Sequence, residues 1–408
     1  MLTFVYTARD SKTGEKVRAE VEADSEAAAA KLIRNAGLAP LDIQLKDGAS
    51  KNPISQYLNR VKTKDRILFA RQLSTLINAG LPLVQSLRSV LSQTQSKPLK
   101  VVINRIITDV EAGTTLADAL GRHPKVFNQI FVSLIAAGET SGTLDKALER
   151  IAFQQEKDAE IMAKVKGAMA YPAIVLLVMT GVVGFMVVMV LPQVEIIYAD
   201  LPGAKLPFIT EALLALSRFV RKYWWLVILI IGLIIFMTTK WARSGPGKLV
   251  IDKLKMRGWL VGPLFMKLYM ARFARTGTTL VASGVPLLQM LEIAARSINN
   301  VHIEASIMRA IDKVRGGKAL SDSIEGDKNF LDLVPKMMRI GEQSGQVEAM
   351  LAKIAEYYEK EVDNQIKTIS TIIEPIMMVV LGVVALTLVG AILLPIYGLA
   401  NQSGFTGS

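Results

Sequence analysis

The sequence predicts a mainly α integral membrane protein with two homologous helical repeats, three transmembrane helices and a small N-terminal α/β module. Three observations carry that prediction. Three long stretches contain no charged residue, one segment recurs at an offset of 204 residues, and only the first 47 residues alternate as strands do. Bulk composition agrees: 51% of the 408 residues are hydrophobic and the mean hydropathy is +0.35, a balance that suits a chain partly dissolved in lipid.

The N-terminal module covers 1–47. "FVYTARDSKTGEKVRAEVEADS" alternates like two strands around a Lys-Thr-Gly turn. "EAAAAKLIRNAGL" reads as a short helix capped by Ser25 and stopped at Gly37, and "APLDIQL" as a closing strand. No basic stretch precedes an apolar core here, so the first residues are expected to stay in the cytoplasm. A linker follows at 48–62.

The first helical repeat occupies 63–171. Phe69, Leu73, Leu76, Ile77 and Gly80 recur at helical spacing. "AGLP" reads as a helix–helix corner, with Gly in the left-handed position and Pro opening the next helix. "GTTLADAL" supplies threonine caps. After a second corner, Leu144, Leu148, Ile151, Ala152, Gln155 and Ala159 mark one face of a helix that continues into the first span. From Thr143 to Leu191 that helix would measure roughly 70 Å at about 1.5 Å per residue, with Pro172 as a point where it can kink.

The uncharged stretch 167–194 contains span one at 172–192, long enough to cross the hydrocarbon core. A loop follows at 193–222. Span two, 223–240, carries Trp224, Trp225 and Trp241 as interface anchors. The second repeat is 241–374, span three 375–397 and the tail 398–408. Residues 240–275 hold nine Lys/Arg against one acid, Asp252, whereas the tail from 396 holds none. The positive-inside rule therefore places 240–275, both repeats and the N-terminus in the cytoplasm, and the 193–222 loop and the C-terminus outside.

The duplication is direct. Residues 69–87 and 273–291 are identical at 10 of 19 positions. After a one-residue gap the offset becomes 203. Phe127 then matches Phe330, Pro172 matches Pro375, and Leu191-Pro192 matches Leu394-Pro395. In the second copy Thr276-Gly277 replaces Gln72-Leu73, a change expected to loosen that helix.

One motif stands out in both copies: Gly138-Glu139-Thr140-Ser141-Gly142 and Gly341-Glu342-Gln343-Ser344-Gly345. It lies between two amphipathic runs, and Asp145 or Glu348 follows in the first turn of the next helix, where the dipole favours an acid. Two readings stay open. The motif is a tight helix corner whose glycines relieve the backbone. Alternatively it is a docking surface, with Gly138, Glu139, Ser141 and Gly142, and likewise Gly341, Glu342, Ser344 and Gly345, turned toward a partner. On the corner reading, Glu139→Ala costs within about 0.5 kcal/mol.

Several function classes fall away. There is no cysteine, and His123 and His302 have no ligand-spaced companion, so no metal site or cofactor is expected. Gly247-Lys248 is followed by Leu249 and Gly317-Lys318 by Ala319, which breaks the phosphate-loop pattern and argues against an enzyme that hydrolyses nucleotides. No charged residue lies inside the apolar stretch of any span; Lys240 closes the second and Glu374 sits at the mouth of the third. A transporter or channel with duplicated repeats is the alternative reading, disfavoured because such proteins place charges within the bilayer. The net charge of +12 is concentrated beside the spans, where membrane lipid rather than nucleic acid is the simpler attractant.

The tandem repeat, the two Gly-Glu-x-Ser-Gly corners, Tyr171-Pro172 and Glu374-Pro375 at the starts of spans, and the paired Leu-Pro exits resemble the type II secretion F / type IV pilus PilC inner-membrane platform family. The N-terminal module resembles that family as well. The resemblance implies two cytoplasmic six-helix bundle domains and a multi-pass place in the bacterial inner membrane, at the base of a pilus or pseudopilus machine. It implies no catalysis by this chain. The implied partners are a hexameric assembly ATPase, pilin or pseudopilin subunits beside the spans, other inner-membrane components and further copies of the chain.

Overall fold

The computed structural model of the chain describes residues 2–10, 16–23, 26–45, 60–199, 208–242 and 244–403. The expected turn at 12–14, the Ser25 cap, residues 48–59 of the linker, 200–207 of the loop, Arg243 and 404–408 of the tail lie outside the described residues.

The N-terminal module consists of β1 (Leu2–Asp10), β2 (Lys16–Ala23), α1 (Glu26–Asn35) and β3 (Leu38–Leu45). The sheet order is β2-β1-β3 with both pairings antiparallel, so the closing strand lies beside the first strand. Alternation places Tyr6 and Ala8 on the face covered by α1, where Ile33 packs against them. Gly37, at φ +77°, ends α1 as expected of a left-handed stop.

Two compact units are formed, one from Met1–Lys157 with Thr279–Pro286 and the other from Asp158–Thr278 with Leu287–Ser408. In the first, the repeat runs through α2 (Thr63–Asn78), α3 (Leu83–Gln93), α4 (Lys97–Glu111), α5 (Leu116–Gly121), α6 (Gln129–Ser141) and the start of α7 (Leu144–Phe185). Of the positions read from sequence, Phe69, Leu73, Leu148, Ile151 and Ala152 are buried, whereas Leu76, Ile77, Leu144, Gln155 and Ala159 are only partly covered and Gly80 is exposed. The Phe127 ring lies 5.5 Å from Phe69 and 4.9 Å from Phe131. Gly80 takes φ +82° at the first corner, and Pro82 immediately precedes α3. The Thr115 hydroxyl accepts from the Asp118 N–H at 3.1 Å, the predicted cap.

In the second unit α7 continues past Pro172 into a π-helical turn, Met186–Val190, and then α8 (Leu191–Ala199). The interruption of this helix therefore falls well beyond the proline. Helix α9 (Phe208–Ala242) begins before the expected span and is broken at Tyr223 (φ −120°, ψ 27°), where the apolar stretch starts. Next comes α10 (Gly245–Arg257). The second repeat then follows the order of the first: α11 (Gly262–Ala282), α12 (Leu287–Ser297), α13 (Val301–Arg315), α14 (Leu320–Ile324), α15 (Leu333–Ser344) and α16 (Val347–Ser403). Counted from α2 and from α11, each repeat has six helices among the described residues, and the last of each carries a span. Among the described residues three helical stretches are long and apolar enough to cross a membrane: Leu144–Gln193, Thr210–Ala242 and Val347–Leu393.

The expectation that Gly277 loosens its helix is corrected by its surroundings. A Cβ at this position would lie 3.1 Å from Leu351 Cδ1 and 3.4 Å from Met290 Sδ. Glycine here admits close packing of three helices. The corresponding positions in the first copy are Leu73 and Ser86, both fully buried. Bulk removed on one helix is restored on its neighbour, so the core stays filled.

Candidate functional site

Each residue of the Gly-Glu-x-Ser-Gly motif has a structural reason. The chain must leave one helix and start the next almost at once, and the motif forms the last turn of α6 or α15 plus its stop. The first glycine is buried against the following helix. A Cβ on Gly138 would meet Ala147 Cβ at 2.6 Å, and one on Gly341 would lie 3.0 Å from Met350 Cγ. The last glycine takes the left-handed conformation, φ +69° at Gly142 and φ +68° at Gly345. Ser141 Oγ donates to the Ala137 carbonyl at 2.7 Å and Ser344 Oγ to the Ile340 carbonyl at 2.7 Å.

The glutamate reaches across to another helix. Leu116 N–H donates to Glu139 Oε1 at 2.6 Å and Ala117 N–H to Oε2 at 2.8 Å. In the second copy Leu320 N–H donates to Glu342 Oε1 at 2.5 Å and Ser321 N–H to Oε2 at 3.1 Å, while Ser321 Oγ donates to Oε2 at 2.5 Å. A carboxylate thereby satisfies the free amides at the start of a short helix whose own turn is too brief to stabilise it. Both glutamates are half-buried rather than turned outward, which corrects the expectation of free carboxylates. The outward edge of the corner is Thr140 and Ser141 in one copy, Gln343 and Ser344 in the other.

Further contacts repeat at the same offsets, and sequence reasoning missed them. Arg71 forms a two-point pair with Glu156 at 3.0 and 2.5 Å, and Arg275 with Glu359 at 2.8 and 2.8 Å. The self-comparison contained this signal, because both partners recur together. A second pair recurs with its charges exchanged. Arg88 bonds Glu111 in the first copy, while Glu292 accepts from Arg315 at 3.3 Å in the second.

Where the second repeat approaches the spans, the second unit carries a layer of ion pairs. Lys267 donates to Glu361 at 2.8 Å and Lys164 to Asp363 at 2.7 Å. Beneath them Ile161, Leu264, Leu268, Val362, Ile366 and Ile369 form an apolar cluster. Pro172, at the start of span one, is buried, whereas Glu374 and Pro375 are exposed. Farther along, Ile174, Val178 and Val182 face Leu381, Ala385 and Leu388 across an apolar cleft of ≈ 370 Å³. The most apolar stretch of span two has none of its residues buried by the chain. Among the described residues no His, Asp and Glu cluster could hold a metal ion.

The protein-family comparison matches "Type II secretion system (T2SS), protein F" twice, over residues 69–192 and 273–395, and the N-terminal domain of the same protein over 1–44. The chain is 37% identical over 399 residues to a type IV pilus assembly protein PilC of Myxococcus xanthus, covering 98% of this chain and 95% of that protein. It is 35% identical to the PilC of Thermus thermophilus, with 97% and 98% covered. It is 30% identical to a type II secretion system protein F of Vibrio cholerae, with 98% and 99% covered. The two family matches coincide with the two halves whose corners, carboxylate anchors and arginine pairs repeat. The chain belongs to the type II secretion system protein F family, which it shares with type IV pilus PilC proteins.

Proposed function

We infer that this protein is a non-enzymatic inner-membrane platform of a type IV pilus or type II secretion machine. It couples a cytoplasmic assembly ATPase to the movement of pilin or pseudopilin subunits through the membrane. One observation carries the reading. Helix α16 is continuous from Val347 to Ser403, so the same helix is part of the second repeat's core and of the third span. Leu351, Ile354 and Tyr358 are buried in the repeat, Glu359 and Glu361 are clamped by Arg275 and Lys267, and the apolar stretch follows without a break. A push on the repeat reaches the bilayer through rigid helix.

Coupling of this kind answers a physical need. Moving an apolar helix of about 20 residues out of the bilayer takes on the order of 10 kcal/mol at about 0.5 kcal/mol per residue. The chain has no phosphate loop, so the energy comes from another protein. The uncharged cleft between Val178 and Leu381 suits the apolar helix of such a subunit. The corner edges at Thr140 and Gln343 are the surfaces we assign to partner docking, with both repeats in the cytoplasm and copies of the chain associating around them.

The test interrupts the helix without touching either end. Three glycines inserted after Ser370 should leave the protein in the membrane and still able to capture the ATPase, yet abolish pilus assembly or secretion. Normal assembly with the insert present would refute coupling through this helix.

A further inference from the structure

Helix α10 lies outside both stretches that the family model matches. It starts just after span two ends at Ala242, with Ser244 capping it. Its other end leads into Leu260, which packs on the cluster containing Ile369, with Ile373 alongside, immediately before span three begins at Pro375. Both ends of α10 therefore lie next to the ends of apolar stretches long enough to span a membrane.

The rotation of α10 about its axis is fixed by its one acid. Asp252 is buried; its Oδ2 accepts from the Val301 N–H at 3.2 Å and its Oδ1 pairs with Lys255 at 3.5 Å. His302 Nε2 lies 3.0 Å from the Leu249 carbonyl, a second tie to α13. The opposite face is left bare. Leu249, Val250 and Leu254 are 45%, 53% and 68% exposed, and Lys253 and Arg257 stand among them. Neither cation makes an ion pair among the described residues. Trp241, before the helix, is 50% exposed, and Trp259, after it, is 82% exposed.

We propose that α10 lies on the bilayer as an interfacial helix whose outer face binds anionic phospholipid headgroups. Leu249, Val250 and Leu254 enter the boundary between headgroups and chains, Lys253 and Arg257 contact the lipid phosphates, and the two tryptophans anchor the ends. An apolar face beside a span would be exposed to water without this contact, and interfacial tryptophans and cations are the residues that suit a headgroup layer. Asp252 faces away, so the acid that would repel lipid phosphate is instead bonded inside the protein. The proposal rests only on insertion of the preceding span and needs neither the ATPase nor a pilin.

The absence of native cysteine makes the test direct. Full-length protein carrying Leu254→Cys is spin-labelled and placed in nanodiscs, either of phosphatidylcholine alone or of phosphatidylcholine mixed with phosphatidylglycerol. A label at Asp312→Cys, on the exposed side of α13, is the aqueous reference. In the mixed discs the label at 254 should be accessible to oxygen and shielded from a water-soluble nickel chelate, relative to the label at 312. Each surface cation favours an anionic bilayer by about fivefold, so Lys253→Gln with Arg257→Gln should lower occupancy of the interface roughly 25-fold. Both residues are exposed, and an unchanged circular dichroism spectrum confirms folding. Equal chelate access at 254 and 312 in mixed discs overturns the proposal. So does shielding at 254 that ignores both the double substitution and the lipid charge, since that means a second copy or another part of the chain covers the helix.

Discussion

At the scale of the residue, Glu139 and Glu342 carry most information. Each holds two backbone amides of a short helix, and a bond to a charged group contributes about 1.5–3 kcal/mol when its partner is buried. The structure therefore changes the expectation for Glu139→Ala from a nearly neutral surface change to a clear loss. We expect Glu139→Ala to lower stability by about 1–3 kcal/mol. Glu139→Gln should cost less, because the amide oxygen still accepts one N–H. Thermal melting of the full-length variants measures both. A melting temperature unchanged in Glu139→Ala would mean the carboxylate adds nothing to the fold. A folded Glu139→Gln protein that fails to capture the ATPase would instead support docking at the corner. Sequence alone marked these residues through their recurrence. It could not assign the carboxylate, whose partners lie more than twenty residues away along the chain.

At the scale of the element, the two repeats keep one fold while dividing its bulk and charge differently. Gly277 and Met290 stand where the first copy has Leu73 and Ser86, and the Arg88–Glu111 pair becomes Glu292–Arg315. Each exchange keeps helices compatible within a copy. Gly277→Leu should force Leu351 and Met290 apart and cost about 1–3 kcal/mol through overpacking. Adding Met290→Ser frees volume and should restore part of that loss. Chemical denaturation of the two single variants and the double variant gives the coupling, and simple additivity would show that these positions do not share one space. The exchanged ion pair is half-exposed and contributes at most about 1 kcal/mol. Its value lies in showing that α3–α4 and α12–α13 contact each other in the same way.

At the scale of the whole molecule, the Lys/Arg asymmetry predicts which ends emerge outside. Single cysteines at Gln193 and Ser403 should react with an impermeant thiol reagent in intact cells, while one at Asp312 should not. Strong labelling at 312 would reverse the topology. The sites are unambiguous because the chain has no other thiol.

The sequence by itself determined the fold class, the number of repeats and the three spans, because each is written in local patterns: charge-free length, helical spacing, and recurrence at a fixed offset. It also placed the glycine stops, since a left-handed residue at Gly142 or Gly345 is demanded by the turn itself. Only the tertiary structure decided what side chains do across distance. It turned Glu139 and Glu342 from surface groups into helix anchors, and Gly277 from a weak point into a close contact. It also turned the lone acid Asp252 inward, leaving α10 with a basic, apolar outer face. These depend on which helices become neighbours, and neighbours brought together by burying a shared core leave no local trace in the chain.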